Sequence, residues 1–430
     1  MATEEKTPLS RVVMASLVGT TIEWYDFFLY GTAAALVFNK LFFPSFDPLV
    51  GTLLAFATYA LGFIARPIGG IVFGHYGDRI GRKRLLMLSL ILMGAATALI
   101  GLLPTYGQVG VAAPVALIIL RLVQGFAVGG EWGGAVLLVA EHGDAERRGF
   151  WASWPQAGVP AGNLLAAGIL AILAASLSDA DFLAWGWRIP FLLSVLLLAV
   201  GWWIRNRVAE SPTFRAALDD AEAPPKLPAL DVIRERPRAL LIGSGLRVGE
   251  NISYYIITTF SITWMIEVAK LSRAAALNAI LIGGVVHFVA IPLAARLSDR
   301  IGRRPVYAAG AFGLALFAFL FFPMAGSGSF GTAALAIAIA LVLHGFMYGP
   351  QAAFIAELFP TRIRYSGASI AYQLTSIVAG SLAPIIALAL YQQSGSWLPV
   401  AIYVGAACVV SGVAALLARE TRGIQLSEIR

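Results

Sequence analysis

Apolar stretches of about 20 residues, the length needed to cross a bilayer as a helix, recur from one end of the chain to the other. Each is closed by glycine, proline or a cluster of charge, and the pattern predicts twelve spans, at 12–37, 49–76, 85–103, 112–140, 148–176, 185–205, 239–266, 274–297, 305–324, 331–356, 364–391 and 397–418. An even number places both termini on one side. The longest polar stretch, 206–238, carries Glu210 to Phe214 (ESPTF), the acids Asp219 to Glu222 and the prolines Pro224, Pro225 and Pro228. It reads as a linker joining two six-helix bundles, 1–205 and 239–430. The expected fold is an all-α membrane protein of two pseudo-symmetric halves.

Composition agrees, since 59% of the residues are hydrophobic and 13% charged, whereas a soluble domain carries about 25% charged residues. The one cysteine, Cys408, excludes a disulfide framework and a thiolate metal site. Glu23, Trp24 and Asp26 inside the first apolar stretch, with no small-residue cleavage pattern, argue for a permanent helix rather than a removable signal peptide. Of 31 lysines and arginines, 24 fall on the side of the termini, which predicts cytoplasmic termini in a bacterial inner membrane. The net charge of +7 then answers to anionic lipid and calls for no nucleic acid.

The halves echo each other. GHYGDRIGRKR, Gly74 to Arg84, returns as RLSDRIGRR, Arg296 to Arg304, with an offset of 221 residues from Asp78 to Asp299. GGAVLLVAE ending at Glu141 returns as GPQAAFIAE ending at Glu357, 216 residues on, and each is followed seven residues later by an arginine, Arg148 or Arg364. Internal repeats of this kind build secondary transporters, with the solute site between the halves. Asp78, Arg79 and Arg82, with Asp299, Arg300 and Arg303, sit in short loops where they can latch neighbouring helix ends, and Glu141 and Glu357 offer matching acids. These eight residues are the candidate cytoplasmic gate.

The paired DRxGR loops and RLVQGFAVGG from Arg121 resemble the signature motifs of the major facilitator superfamily. More narrowly, IEWYDFFLYG from Ile22, RPIGG from Arg66, GGEWGGA from Gly129, WGWRIPF from Trp185 and ESPTF resemble the metabolite:proton symporters, among them shikimate, α-ketoglutarate and proline/betaine permeases. The resemblance covers the whole chain and does not select a substrate. It implies a proton-coupled carrier without a cofactor, whose first-helix acids and fourth-helix arginine lie at the cavity.

Charges inside the spans are the independent signal. Glu23, Asp26, Arg66, Arg121, Glu131, Arg247 and Glu250 are costly at membrane depth unless paired or wetted, so they need a shared polar interior. Four acids against three arginines leave a carboxyl group able to exchange a proton, which makes Glu23, Asp26, Glu131 and Glu250 the coupling candidates. Arginines that can grip a carboxylate with two parallel hydrogen bonds point to a small organic anion held by Arg121, Arg247 and Arg66. Trp24, Tyr25, Trp154, Gln156, Asn251, Tyr254, Tyr255 and Gln373 are candidates for the lining. His287 and His344, also within spans, are expected to be hydrogen-bonded structural histidines. No Walker loop, HExxH or nucleophile elbow is present, so the chain is not read as an enzyme. The expected function is import of a small organic anion with protons, by one chain acting alone; a zwitterionic osmolyte carrier and a non-transporting receptor are the alternatives.

Overall fold

The computed structural model describes residues 8–44, 48–80, 82–206 and 228–429. Twelve helical units follow one another: α1 Leu9–Ala33, α2 Pro48–Ile80, α3 Arg82–Leu102, α4 Ala112–His142, α5 Arg148–Ser176 and α6 Arg188–Asn206 in the first half. The second half holds α7 Pro237–Tyr255, α8 Arg273–Ile301, α9 Arg303–Ala325, α10 Phe330–Ala356, α11 Arg364–Thr375 and α12 Leu398–Leu417. Eight helices among the described residues are long and apolar enough to cross a membrane. Of the remaining units, α7 and α11 are each interrupted by a π-helical stretch.

A π-helical stretch, Phe182–Gly186, leads into α6, and three other units are wound wider than the spacing predicts. α1 continues through a π-helical stretch, Ala34–Phe38, α7 through Ile256–Phe260 into Ser261–Glu267, and α11 through Ser376–Ser381 into Ala383–Ser394. Such π-turns gather at functional sites because they turn side chains out of the regular helical register. Ala34 and Ile256 begin their stretches 222 residues apart, close to the repeat offset, so the distortion belongs to the repeated unit.

Packing follows the halves. In the first, α1 lies against α5, α2 and α3 against α4, and α3 against α6; in the second, α8 and α9 lie against α10 and α12 against α7 and α9. Two seams join them: α5 against α8 and α10, and α11 against α2 and α4. Most of the 206–238 linker lies outside the described residues, but its end forms a helix, Pro228–Glu235, resting on α2 and α11. Arg362 holds that helix through Glu235 at 2.6 Å and Asp231 at 3.5 Å.

The glycines spaced by four on α4 explain how near α2 comes. A Cβ at Gly125 would overlap the Gly62 carbonyl, and one at Gly129 the Arg66 carbonyl, so backbone touches backbone there. At Gly168 on α5, by contrast, a Cβ would meet nothing within 4 Å. Gly129→Val is therefore expected to lower the melting point in detergent, by an equivalent of roughly 1–3 kcal/mol from overpacking. Gly168→Ala should leave it unchanged or raise it slightly. Equal behaviour of the two variants in a melting series would refute the close-approach account.

Candidate functional site

The short connections α4–α5, α8–α9 and α10–α11 and the C-terminal segment gather at one end of the bundle, here called the tail face. Glu141 ends α4 and Glu357 follows α10, positions where a carboxylate opposes the helix dipole and needs a cation. Each finds it in the other half. Arg364 reaches Glu141 and Arg148 reaches Glu357, both at 3.0 Å and all four side chains almost fully buried. Each arginine also serves its own half, Arg148 Nε donating to the Ala140 carbonyl at 3.3 Å and Arg364 Nε to that of Ala356 at 3.2 Å. The seven-residue spacing thus encodes two reciprocal crossings.

Around this pair the network is denser on one side. Arg303 contacts Asp299 at 2.5 Å and Glu357 at 3.3 Å. Asp299, from α8, accepts hydrogen bonds from the N–H groups of Gly149 at 2.9 Å and Phe150 at 2.8 Å, capping α5 across the seam. The C-terminal segment threads through: Thr421 donates to Glu357, the Ile424 carbonyl accepts from Arg148 and the Leu426 carbonyl from Arg364. Glu420 caps α9 at the N–H groups of Arg303 and Arg304. Arg300 is exposed and stands outside these contacts. The side chains of Asp78, Arg79 and Arg82 lie outside the described residues.

At the centre, between the halves, is a second polar cluster. α7 supplies Arg247, Glu250, Asn251, Tyr254 and Tyr255; α10 supplies His344 and Tyr348; α11 supplies Tyr372; Trp24 and Val159 close it from the first half. Arg247 is ion-paired with Glu250 one turn on, reaches Ser376 at 3.2 Å, and lies 3.5 Å above the Tyr372 ring. Its Nε has no hydrogen-bond partner among the described residues. Glu250 also meets His344 Nε2 at 3.2 Å and the Gln351 amide at 3.4 Å. The free space is about 10 Å³, room for about one water molecule, so this conformation is shut around its centre.

The other two arginines are placed differently from expectation. Arg121 and Arg66 do not line this pocket; Phe27 lies between them, its ring 4.9 Å from the first guanidinium and 4.3 Å from the second. Arg66 also lies over Phe63 and Trp24 and contacts Tyr255, so it borders the pocket through those rings. Arg121 lies over Tyr30 and donates to Gln124, which holds Thr97 at 2.7 Å. Ring faces stabilise a buried cation by about 2 kcal/mol when it is desolvated. Glu23 and Asp26 turn toward a small void within the first half bounded by α3 and α4, and Asp26 accepts from Ser194 at 2.6 Å. The side chain of Glu131 lies outside the described residues.

Of the proposed lining, Trp24, Asn251, Tyr254 and Tyr255 are at the pocket. Gln156 accepts from Trp132 at 2.5 Å and reaches the Tyr348 carbonyl, while Gln373 donates to the Gly129 carbonyl, so both bridge the halves beside it. Two are elsewhere: the Tyr25 hydroxyl donates to the Pro190 carbonyl within the first half, and Trp154 packs on Phe150 and Phe288 at the α5–α8 seam. Aromatic spacing on a helix does not reveal which face is inward. Tyr348, Tyr372 and Gln351 escape a reading of the sequence because a single tyrosine or amide in an apolar span carries no distinguishing signal.

The chain matches the family model described as Major Facilitator Superfamily over residues 16–362 and 280–428. A shikimate transporter of Escherichia coli K12 is 42% identical over 415 residues, covering 96% of this chain and 95% of that protein. A proline/betaine transporter of the same strain is 34% identical over 424 residues, covering 96% and 84%. Among solved structures, the proton:xylose symporter XylE of E. coli, bound to 6-bromo-6-deoxy-D-glucose, superposes with a TM-score of 0.78 at 19% identity over 98% of both chains, a likeness of fold.

Removing one partner of a buried ion pair costs roughly 3–5 kcal/mol, so Arg148→Ala with Arg364→Ala should release the tail face. A cysteine placed at buried Ser366, in a Cys408→Ser background, is expected to alkylate at least ~10-fold faster in that double variant, the opening having lost this bias. Exchanging charges, Glu141→Arg with Arg364→Glu, should restore part of the protection. Unchanged labelling in the double variant would show that the crossings do not hold this face closed.

Proposed function

Because this chain belongs to the major facilitator superfamily, we propose that it is a carrier that takes up a small organic anion together with protons, by alternating access between its two six-helix bundles. The carrying observation is Arg247, a buried guanidinium at a shut pocket between the halves, with one N–H unpartnered and one acid beside it. A carboxylate supplies what that group lacks, since a guanidinium can engage it with parallel hydrogen bonds. The tyrosines, Asn251 and His344 around it add donors suited to a hydroxylated ring acid, and the 42% identical shikimate transporter supports that class.

The tail face is assigned to the cytoplasm, where 24 of the 31 basic residues fall in the sequence. With that face closed by the reciprocal ion pairs, the solute enters by separation of the halves at the opposite end and leaves when the crossings break. One chain contains both halves and the whole pocket, so the monomer is the working unit in the bilayer. Coupling needs an acid that changes protonation during the cycle, and Glu23, Asp26, Glu131 and Glu250 are the groups available to it.

A zwitterionic osmolyte is the second reading. Its carboxylate would also meet Arg247, and its cation would find the ring faces of Trp24, Tyr254 and Tyr255; the 34% identical proline/betaine transporter belongs to this class. A melting series with shikimate, α-ketoglutarate, citrate, benzoate, proline and betaine separates the two, because a ligand at 100 times its Kd stabilises by about 2.7 kcal/mol. Stabilisation by shikimate or another organic acid is expected, and stabilisation by proline or betaine alone would favour the osmolyte. Arg247→Lys keeps the charge and loses the fork, so organic-acid binding should weaken by roughly 1–3 kcal/mol in a folded protein. Unchanged affinity in that variant would remove Arg247 from the site.

A further inference from the structure

Glu250 is the one acid among the residues lining the central pocket, and the contacts on its two sides differ in kind. On one side is Arg247, a fixed cation. On the other is a titratable chain: Glu250 Oε1 lies 3.2 Å from His344 Nε2, and His344 Nδ1 lies 2.9 Å from His287 Nε2. Both histidines are 1% exposed and come from different helices, α10 and α8. His344 Nε2 also lies 3.2 Å from the Glu250 carbonyl, which keeps the ring facing α7.

We propose that Glu250 receives the coupled proton, along His287 and His344, when an anionic solute takes Arg247 from it. This rests on the reading of the pocket as an anion site. The reason is charge. Arg247 and Glu250 are neutral as a pair; a solute carboxylate added to them leaves one uncompensated negative charge in a buried site, a state that costs several kcal/mol. One proton on Glu250 removes that excess. The solute then holds the guanidinium, while Glu250 keeps His344 and the Gln351 amide as partners.

The step balances. A proton from solution arrives at His287 Nδ1, the proton on His287 Nε2 passes to His344 Nδ1, and that on His344 Nε2 passes to Glu250 Oε1. One proton enters, one carboxyl group is neutralised, and no electrons move. Departure of the solute returns Arg247 to Glu250, and the proton leaves Glu250 for His344 Nε2, His344 Nδ1–H passes to His287 Nε2 and His287 Nδ1–H goes to solution, which restores both tautomers.

No neighbouring group offers an equal site. Tyr254 and Tyr348 pack on the imidazoles, Tyr255 faces Arg66, and Tyr372 lies beneath Arg247. From α9, the Tyr307 hydroxyl is committed to the Leu246 carbonyl; from α12, the Cys408 thiol points to the Gly249 carbonyl at 3.7 Å and Ser411 to α7 carbonyls. These are neutral groups around one carboxylate.

Purified protein in weak buffer with a pH dye and shikimate as the probe tests this. Wild type should take up one proton per shikimate bound near neutral pH, with apparent affinity falling about 10-fold per unit rise in pH where free Glu250 is ionised. Glu250→Gln should take up none, and its affinity should vary less than about twofold over the same range. His287→Gln, with Glu250 intact, should slow uptake in stopped flow while the final count stays at one. That kinetic readout, with the wild-type count, decides the matter if Glu250→Gln does not fold. Shikimate binding without proton uptake, or uptake at wild-type rate in His287→Gln and wild-type amount in Glu250→Gln, overturns the proposal and leaves the anion site standing. Failure of wild type to bind shikimate or any acid of the melting panel overturns the anion reading itself.

Discussion

Glu141 and Glu357 stand at helix C-terminal ends, where the peptide dipoles place partial negative charge, and each is answered by an arginine from the opposite half. Glu357 is also met by Arg303 of its own half, but Arg148 and Arg364 each spend one donor on their own helix end and extend another across the seam. Contact between the halves at the tail face is therefore written into charge satisfaction. Apolar packing alone would allow the seam to slide, since lipid tails solvate a leucine as well as a neighbouring helix does. Buried ion pairs make closure discrete, with a made and a broken state.

The same requirement orders the interior. Arg66 and Arg121 are held against Phe27 and its aromatic neighbours, and Gly62 leaves the space in which Arg121 lies, since a Cβ there would come within 2.7 Å of its Nε. Sequence, packing and electrostatics meet at that glycine. A cation so enclosed orders α1, α2 and α4 as one unit, whereas Arg247 has a carboxylate, Glu250, one turn away on its own helix.

The twelve units and their ends were legible because the bilayer imposes one length and one polarity on each, and the repeats marked the charged end of the bundle because charged loops stand out against apolar spans. Which partner each of these charged residues takes was not legible. Glu141 and Arg148 are seven residues apart in the sequence, yet each bonds across to the other half, a consequence of topology that spacing cannot carry. At the centre, charge marked Arg247 and Glu250, but Arg121 and Tyr25 have the same one-dimensional signature and turn elsewhere, because helix rotation is set by neighbours unknown from the chain alone. The π-turn at Ile256–Phe260 shifts that rotation again just beyond the pocket.

Comparison of the two repeats within the fold separates mechanics from chemistry. The offset of 221 that relates Asp78 to Asp299 relates Arg66 to His287, and the offset of 216 that relates Glu141 to Glu357 relates Val128 to His344. The charged positions at the tail face are thus duplicated in kind. At the centre the duplication breaks, with a permanent cation in the first half matched by a titratable imidazole in the second, and an apolar residue matched by another imidazole. A symmetric pair of bundles has no reason to bind an ion with one half and exchange a proton with the other until such a difference is introduced. In the proposed cycle the departure from the repeat falls where a buried charge changes, and the groups that replace their first-half counterparts are ones that can carry a proton.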